Sequence, residues 1–301
     1  MSSTPSSDWT PSGVLIVGCG YSGMAIARLL TQRGIPVVGT TQNSDRFSEI
    51  ERSGAIPLLY RIQPDLEPLR LPISIDHAVI CVGPPWNDPY DPTGDLAKVL
   101  LSLELNRVVY LSSTSVYGDK QGAWVDEESE CTPSSSAGIR RLNAENLLLS
   151  LYNRVHFPVI IARLPGIYGP GRSLLDRIRC GRFQLIDGHN SYSNRIHVDD
   201  LAQGVVAALH RGRTGRTYLL SDDEPALLSD VARYCSELLG IALPEPLSVD
   251  QATKEWDPSR RSLVMDSKRI RNDRFHTELG VVLTYPSYRE GIRSVWESEQ
   301  H

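Results

Sequence analysis

Residues 14–23 read Val14-Leu15-Ile16-Val17-Gly18-Cys19-Gly20-Tyr21-Ser22-Gly23, and this stretch decides the fold. Its first four residues form a continuous apolar run, which is typical of a parallel strand buried on both faces. The next six fit the pattern G-x-G-x-x-G, and apolar residues at helical spacing follow from Met24 to Gln32. A strand, a glycine turn and a helix in this order predict a binding site for a dinucleotide.

Each glycine of the turn has a physical reason to be glycine. Gly18 makes the tight turn, Gly20 lets a pyrophosphate approach the backbone, and Gly23 lets the helix pack closely on the strand. The helix N-terminus, with Tyr21 and Ser22, offers free N–H groups and a partial positive charge to phosphates. The alternative is an ordinary turn with accidental glycines, which the flanking strand and helix disfavour.

Further strands and helices alternate along the first half of the chain. This alternation predicts an α/β fold, a Rossmann-type doubly wound parallel sheet with a smaller C-terminal substrate lobe. The predicted strands are Pro36–Thr40, Ile56–Tyr60, Ala78–Val82, Arg107–Ser112 and Val159–Ala162, and the predicted helices are Asp45–Arg52, Gly94–Leu105 and Leu142–Tyr152.

We expect three segments. Residues 1–12 are rich in Ser and Pro and predict a disordered tail. We expect residues 13–166 to form the NAD(P)-binding Rossmann domain and residues 167–301 to form a smaller lobe that packs on it. This division allows part of the second segment to return to the first domain. The helices predicted at Leu201–His210 and Leu228–Leu239 are placed in that smaller lobe.

Composition excludes several classes of function. A net charge of −5 over 301 residues disfavours nucleic acid as the main partner, because binding phosphates requires a basic face. The five cysteines are scattered without zinc-ligand spacing, so we expect no metal and free thiols in a reducing compartment. Apolar runs fall short of the roughly 20 residues that a membrane span needs. These features predict a cytoplasmic protein with a small-molecule substrate, and they leave a homodimer open.

The residues after the second strand bear on the choice of cofactor. An NAD site usually has an acidic side chain there to bind the ribose 2′-hydroxyl. This chain has Thr41 instead, and Arg46 is close enough to meet a 2′-phosphate. We therefore predict NADP in preference to NAD, although Arg46 as a solvated charge at a helix start is an equal alternative.

Several later segments, taken with the glycine turn, resemble the extended short-chain dehydrogenase/reductase superfamily, the NAD-dependent epimerase/dehydratase group. The resemblance runs over nearly the whole chain from Gly13. The segments that carry it are Gly18 to Gly23, Tyr110 to Gly118 (YLSSTSVYG), Arg163 to Arg172 (RLPGIYGPGR), Arg195 to Asp200 (RIHVDD) and Tyr285 to Ile292 (YPSYREGI).

The resemblance implies hydride transfer between a nicotinamide and a carbon that bears oxygen. It places Ser113 as the hydroxyl that polarises the substrate oxygen. Family members also use a tyrosine as acid/base and a lysine four residues later that lowers the tyrosine's pKa. Aligned on Glu145, those two positions hold Ala137 and Arg141, so the chain is similar to the atypical subgroup that lacks the catalytic tyrosine. Arg141 could still bind the nicotinamide ribose.

Further contacts are expected around this centre. Val82, Gly83 and Ser112, at the ends of two strands, are expected to contact the cofactor, and Pro84-Pro85-Trp86 to shape a pocket wall or form a rigid surface turn. Arg172 and Arg195 are candidates for an anionic group of the substrate, with surface or structural roles as the alternative. The proton donor is left unassigned among Tyr117, Tyr168, Tyr192 and His197, each of which has a packing or loop-ordering role as its alternative.

Two functions follow. The first is an NAD(P)-dependent oxidoreductase or epimerase-like enzyme for a small polar carbonyl or sugar-like substrate, with Ser113 and Arg141 in a non-standard catalytic site. The second is an NAD(P)-binding sensor or regulatory protein without turnover. Ala137 favours the second, whereas Ser113, Arg141 and the substrate-lobe motifs favour the first, which we prefer.

Overall fold

A parallel sheet of seven strands forms the centre of the protein. The computed structural model describes residues 9–84, 90–256 and 264–300. The strand order is β11-β7-β5-β4-β1-β2-β3, and every neighbouring pair is parallel. The strands are β1 (Val14–Val17), β2 (Val37–Thr41), β3 (Ile56–Leu59), β4 (His77–Ile80), β5 (Arg107–Ser113), β7 (Val159–Leu164) and β11 (Thr217–Leu219). The predicted Rossmann-type fold is confirmed, since the order reverses between β1 and β4 as a doubly wound sheet requires.

Helices cover both faces of this sheet. The first face packs against α1 (Tyr21–Gln32), α2 (Phe47–Arg52) and α6 (Val198–Arg211), whose buried residues include Ile26, Leu30, Ile50 and Leu201. The second face packs against α3 (Thr93–Leu101) and α4 (Ser136–Val155) through Leu96, Leu100 and Leu148. The strands are buried on both sides, which explains why they read as continuous apolar runs.

The chain crosses back into the sheet after residue 166. Strand β11 pairs with β7, and helix α6 packs alongside α1 on the sheet. The prediction that placed Leu201–His210 in the smaller lobe is therefore wrong. Its apolar face, with Leu201, Val205 and Leu209 fully buried, matches the sheet core.

The remaining elements build the smaller lobe and the edges of the sheet. The helices of the lobe are α5 (Leu174–Arg179), α7 (Leu228–Leu239), α8 (Val249–Glu255) and α10 (Tyr288–Ser298), whereas α9 (Asp273–Thr277) packs on the core of the large sheet through Phe275. Three two-stranded sheets join β8 (Gly166–Tyr168) to β10 (Arg195–His197), β9 (Tyr192–Ser193) to β12 (Ala226–Leu227), and β6 (Trp124–Val125) to β13 (Arg269–Ile270). A separate apolar core forms where α5, α7 and α10 meet, with Leu175, Val231 and Ile292 at its centre.

Two segment boundaries differ from the sequence expectation. Helix α4 begins at Ser136, well before the predicted Leu142, because the Ser135 hydroxyl accepts from the Gly138 N–H and caps the helix. Residues 9–12, the last four of the predicted disordered tail, contact the folded protein. The Trp9 ring stacks on His210, and the Ser12 N–H donates to Asp76. Residues 1–8 lie outside the described ranges.

Within the described ranges, no helix combines the length and the apolar character that crossing a membrane requires.

Candidate functional site

The glycine turn sits where the strand order reverses, between the carboxyl ends of β1 and β4. Gly18 has φ +87°, and a Cβ there would lie 2.5 Å from Val82 Cγ1. A Cβ on Gly23 would lie 2.9 Å from the Gly18 carbonyl oxygen, so α1 packs closely on β1. A Cβ on Gly20, in contrast, would meet nothing within 4 Å. The turn is therefore tight at both ends and open in the middle.

The open middle faces the N-terminus of α1. Gly20 caps the helix without a side-chain hydrogen bond, and the first turn, which includes Tyr21 and Ser22, contains no acidic residue. The Gly18 N–H donates to Thr40 Oγ1 over 2.9 Å, which fixes the turn to β2. The helix N-terminus carries a partial positive charge and free N–H groups, so this place suits an anion such as a pyrophosphate.

Arg141 reaches from α4 to the ends of two strands beside the turn. Its Nη1 donates to the Leu111 carbonyl over 3.1 Å and to Tyr110 Oη over 3.2 Å. A Cβ on Gly83 would lie 2.0 Å from the same nitrogen, so only glycine at this position leaves room for the guanidinium. The structure thus brings Gly83 and Arg141 together, with Val82 next to Gly18.

The carboxyl end of β2 supplies the other side of the turn. Thr41 is buried, and its hydroxyl exchanges hydrogen bonds with the backbone of Asn43. Arg46 forms a half-exposed ion pair with Glu49 over 3.0 Å. Burial raises the pKa of the Cys19 thiol to about 11, and the charge of Arg46 opposes that rise.

A cavity of about 630 Å³ lies between the sheet edge and the smaller lobe. Ser113, Arg172 and Arg195 all line it, as the sequence predicts for residues that share a substrate site. Ser113 Oγ accepts the Ser115 N–H over 3.1 Å, which orients the hydroxyl at the end of β5. The wall of the cavity combines aromatic and aliphatic side chains with cationic ones.

Ser112 is buried away from this cavity. Its hydroxyl donates to Glu145, whose carboxylate forms a buried bidentate ion pair with Arg163 at 2.7 Å. Arg163 also donates to Tyr117 Oη over 2.7 Å, and that hydroxyl donates to the Asp126 carbonyl. The Ser112 hydroxyl is therefore committed to this network, and contact of Ser112 with the cofactor stays a prediction that only its backbone can meet.

The network also decides the role of Tyr117. Burial raises the pKa of Tyr117 far above its ordinary value, and Arg163 only partly opposes this. Both hydrogen-bonding directions of its hydroxyl are occupied by structural partners. Tyr117 thus supports the turn after β5 and is not a proton donor for a substrate.

The other proton-donor candidates occupy different surroundings. Tyr168 and Tyr192 line the cavity, and the Tyr168 hydroxyl is buried without a hydrogen-bond partner among the described residues. His197 is buried at the N-terminus of α6, where its Nδ1 accepts the Asp199 N–H. Burial lowers the pKa of His197 below its ordinary value. His197 therefore orders its loop, as the alternative interpretation proposed.

Arg195 is a buried cation of the cavity wall. It lies near Asp222, whose carboxylate is buried. Burial lowers the pKa of Arg195, whereas the charge of Asp222 opposes that change. Burial likewise raises the pKa of Asp222 well above its ordinary value, against the charge of Arg195. Each group thus limits the cost of burying the other.

The sequence interpretation missed Lys268 and Asp266, which line the same cavity. Lys268 is 7% exposed, and its Nζ donates to the Gly118 carbonyl over 2.9 Å. Burial lowers the pKa of Lys268. Asp266 accepts from the Ser134 hydroxyl over 2.7 Å. No local motif marks this lysine, because its contact joins residues 150 positions apart.

Two further expectations concern the cavity rim. Ala137 is half-buried in the first turn of α4, and its neighbour Gly138 packs so closely that a Cβ would lie 2.7 Å from the Ser115 carbonyl oxygen. The position expected for the family tyrosine therefore lies next to the Ser113–Ser115 segment. The wall expected from Pro84-Pro85-Trp86 rests on Pro85 and Trp86, which lie outside the described residues.

Comparison with known proteins identifies relatives of this chain. The family model described as the NAD dependent epimerase/dehydratase family matches residues 90–221. Protein YeeZ of Escherichia coli (strain K12) is 30% identical over 286 residues, covering 91% of this chain and 96% of YeeZ. A 4-hydroxy-2-methyl-3-oxo-4-farnesyl-3,4-dihydroquinoline-1-oxide ketoreductase of Stigmatella aurantiaca is 25% identical, covering 74% of this chain and 72% of the enzyme.

Solved structures agree with this assignment. A conserved protein of unknown function from Silicibacter pomeroyi DSS superposes with a TM-score of 0.82 and 36% identity over 95% of this chain and 99% of its own. The UDP-glucuronic acid 4-epimerase of Bacillus cereus, solved in complex with NAD, has a TM-score of 0.76 at 19% identity over 95% and 96% of the two chains, which supports the fold alone. The chain therefore belongs to the NAD dependent epimerase/dehydratase family, within the extended class of short-chain dehydrogenases/reductases.

Proposed function

We propose that this protein is an NAD(P)-dependent oxidoreductase or epimerase-type enzyme that acts on a small polar carbonyl or sugar-like substrate carrying an anionic group. One observation carries the proposal: the glycine turn and the Ser113 cavity meet at the same edge of the sheet, with Arg141 beside the turn and Arg195 in the cavity wall. The turn that we propose for the dinucleotide and the cavity that we propose for its reaction partner are thus adjacent.

The residues at the turn fit a dinucleotide. The space over Gly20, which a Cβ would partly fill, and the uncapped N-terminus of α1 suit a pyrophosphate. Arg141, half-buried at the ends of β4 and β5, would donate to the hydroxyls of the nicotinamide ribose. A bound reduced nicotinamide would supply a hydride to the substrate carbon.

The chain's own residues would prepare the substrate for that transfer. The Ser113 hydroxyl accepts the Ser115 N–H and so keeps its own hydrogen free to donate to a carbonyl oxygen in the cavity. Arg195 would bind the anionic group, since its guanidinium has no carboxylate within 4.0 Å among the described residues and Ser193 O is its one partner there, at 3.3 Å. Ser113 would thereby polarise the reacting oxygen while Arg195 sets its distance from the turn.

Absorbance at 340 nm with a panel of carbonyl and alcohol substrates tests the proposal. We expect wild-type turnover of at least one panel member and a loss of about a hundredfold in Ser113→Ala, because one donor to a developing oxyanion contributes roughly that factor. Ser115→Ala is the matched control, since it removes a hydroxyl from the same wall and leaves the backbone N–H in place. Equal rates in Ser113→Ala and the wild type would refute the role of Ser113.

NADP is the proposed cofactor, in preference to NAD. Thr41 ends β2 without a carboxylate that would repel a 2′-phosphate, and Arg46 stands at the rim of the turn in a half-exposed pair with Glu49, which a phosphate could displace. Titration calorimetry should give a lower Kd for NADPH than for NADH, and Arg46→Met should weaken NADPH binding alone. Tighter binding of NADH by the wild type would contradict this preference.

The relatives are compatible with the proposal. The Stigmatella aurantiaca protein is a ketoreductase, and a 3-diazoavenalumate denitrifying reductase of Streptomyces sp is 28% identical over 139 residues. Both names describe reductases, which supports reduction of a polar unsaturated group as the reaction. A cytoplasmic location and a homodimer stay predictions.

A dinucleotide-binding sensor without turnover is the second candidate. It is favoured by Ala137, which has a methyl group at the position where the family tyrosine would supply a phenol. Calorimetry and the absorbance assay separate the two functions, since a sensor binds NADPH tightly and oxidises none of it with any panel member.

A further inference from the structure

Arg172 is held at the boundary between the glycine turn and the cavity. It ends a tight turn in which the Gly169 N–H donates to the Arg172 carbonyl over 3.1 Å and the Arg172 N–H donates to the Gly169 carbonyl over 3.0 Å. Gly171 supplies the left-handed backbone that this turn needs, at φ +70°. The backbone of Arg172 is therefore fixed, while its side chain is exposed.

The side chain of Arg172 packs against Tyr21. The Arg172 guanidinium carbon lies 5.5 Å from the centre of the Tyr21 ring, within the range of a cation–π contact. Tyr21 is the first residue of α1 and directly follows Gly20. A Cβ on Gly169 would lie 2.6 Å from Tyr21 Oη, so the loop rests directly on this tyrosine. Arg172 thus packs against the side chain of the first residue of α1, which directly follows the open middle of the turn.

The charge of Arg172 has no internal partner. Among the described residues, no carboxylate lies within 4.0 Å of its guanidinium. The nearest acidic residue in sequence, Asp176, is engaged by the capping box with Ser173 and by Arg179. A guanidinium without a carboxylate partner and a helix N-terminus without a side-chain cap both favour a doubly charged anion, and Tyr21 connects the two.

We propose that Arg172 completes the cofactor site as a clamp that binds the pyrophosphate across the glycine turn, opposite the N–H groups of α1. This proposal rests on the cofactor half of the proposed function and gives Arg172 a role beyond the substrate contact that the sequence predicts. The planar guanidinium presents paired donors that match two phosphate oxygens, and the Tyr21 ring keeps it in that orientation. The substrate anion is then left to Arg195.

Titration calorimetry on the full chain tests the clamp. The probes are NADPH, which contains the pyrophosphate, and adenosine 2′-phosphate, which lacks it. We expect Arg172→Met to raise the Kd of NADPH about ten- to hundredfold and to leave the Kd of adenosine 2′-phosphate within twofold. Arg172→Lys keeps the charge without the paired donors and should fall between Arg172→Met and the wild type.

Two kinds of control distinguish loss of the proposed clamp from a general loss of positive charge and from a loss of stability. Arg182 is an exposed arginine of the same cavity, so Arg182→Met removes an equal charge at a distance from the turn. Tyr21→Leu removes the aromatic ring that Arg172 contacts and should weaken NADPH binding. Tyr21→Phe keeps the ring and should leave the Kd of NADPH unchanged. Because Arg172 is exposed, its variants should keep the wild-type unfolding midpoint in guanidinium chloride.

The outcomes are distinct. An unchanged NADPH Kd in Arg172→Met, equal weakening in Arg182→Met, or equal weakening of adenosine 2′-phosphate each overturns the clamp. A wild type that binds NADPH and shows no turnover overturns the enzyme half of the proposed function and leaves the clamp to be decided by the Kd values. A wild type that binds no dinucleotide overturns both.

Discussion

Two alanine substitutions in the glycine turn separate cofactor binding from folding. A Cβ on Gly20 meets no heavy atom within 4 Å, whereas a Cβ on Gly23 lies 2.9 Å from the Gly18 carbonyl oxygen and 3.1 Å from Ile16 Cγ2. The backbone oxygen cannot rotate away as a side chain could. Gly20→Ala should therefore fold normally, and Gly23→Ala should force α1 away from β1.

The expected magnitudes follow from these distances. Overpacking at Gly23 should lower the free energy of unfolding by about 1–3 kcal/mol. At Gly20, the weaker helix cap that alanine provides and the reduced entropy of the unfolded chain act in opposite directions, so the net change should stay within about 1 kcal/mol. The new methyl group should cost one charge-assisted hydrogen bond to a pyrophosphate, about 1.5–3 kcal/mol, which raises the Kd roughly 10- to 150-fold.

Guanidinium chloride unfolding and titration calorimetry with NADPH measure both effects on the same two variants. Gly20→Ala should keep the wild-type unfolding midpoint and lose affinity, while Gly23→Ala should lose stability. If Gly20→Ala binds NADPH with the wild-type Kd, the turn does not approach a pyrophosphate as we infer. If Gly23→Ala is as stable as the wild type, α1 can move away from β1 without the loss of stability that we expect.

Other changes have equally specific expectations. Glu145→Gln should lower the free energy of unfolding by about 3 kcal/mol, because it leaves the buried Arg163 guanidinium without its counter-charge. Arg233→Gln, in an exposed ion pair, should lower it by at most about 1 kcal/mol. Similar losses of the two variants in a denaturant titration would contradict this difference. Burial lowers the pKa of His197 below its unfolded value, so the unfolded chain binds more protons below about pH 6.5 and stability falls with acidification. His197→Asn keeps a capping acceptor and should flatten the loss of stability between pH 7 and pH 5; an unchanged slope would exclude this histidine as its source. Ala137→Tyr combined with Arg141→Lys should raise carbonyl reduction in the 340 nm assay, and no gain across the panel would favour the sensor.

The sequence was sufficient where structure is encoded locally. Strand β1 has the bounds that its apolar run predicts, and β5 extends the predicted strand by one residue, because strands buried on both faces need apolar residues at every position. Strand β11 was not predicted, since three residues, Thr217–Leu219, carry too little periodicity. The start of α4 was missed because its first two turns, around Arg140 and Arg141, lack an apolar stripe.

The residues of the candidate site were likewise predicted where a local pattern marks them and missed where none does. A contiguous pattern predicts the roles of Gly18, Gly20 and Gly23, and a motif predicts that of Ser113. The structure places the glycines at the end of β1 and Ser113 in the cavity wall. Lys268 was missed because it joins the site through a contact that no local pattern encodes. The burial of the Ser112 hydroxyl was not foreseen, because a sequence does not show which way a hydroxyl at a strand end points, and its partner, Glu145, lies on the neighbouring helix.

The return of the chain to its own sheet has a consequence for synthesis on the ribosome. Strand β7 stays an open edge until residues 217–219 leave the exit tunnel, and the core under α1 still lacks Leu279 and Leu283, which are translated later. While residues 165–219 are translated, the nascent chain thus exposes an unpaired edge and an apolar face, a state prone to non-native pairing. Translation pauses or chaperone contacts before that point should therefore influence yield more than those after it, and a fragment ending at residue 166 should aggregate.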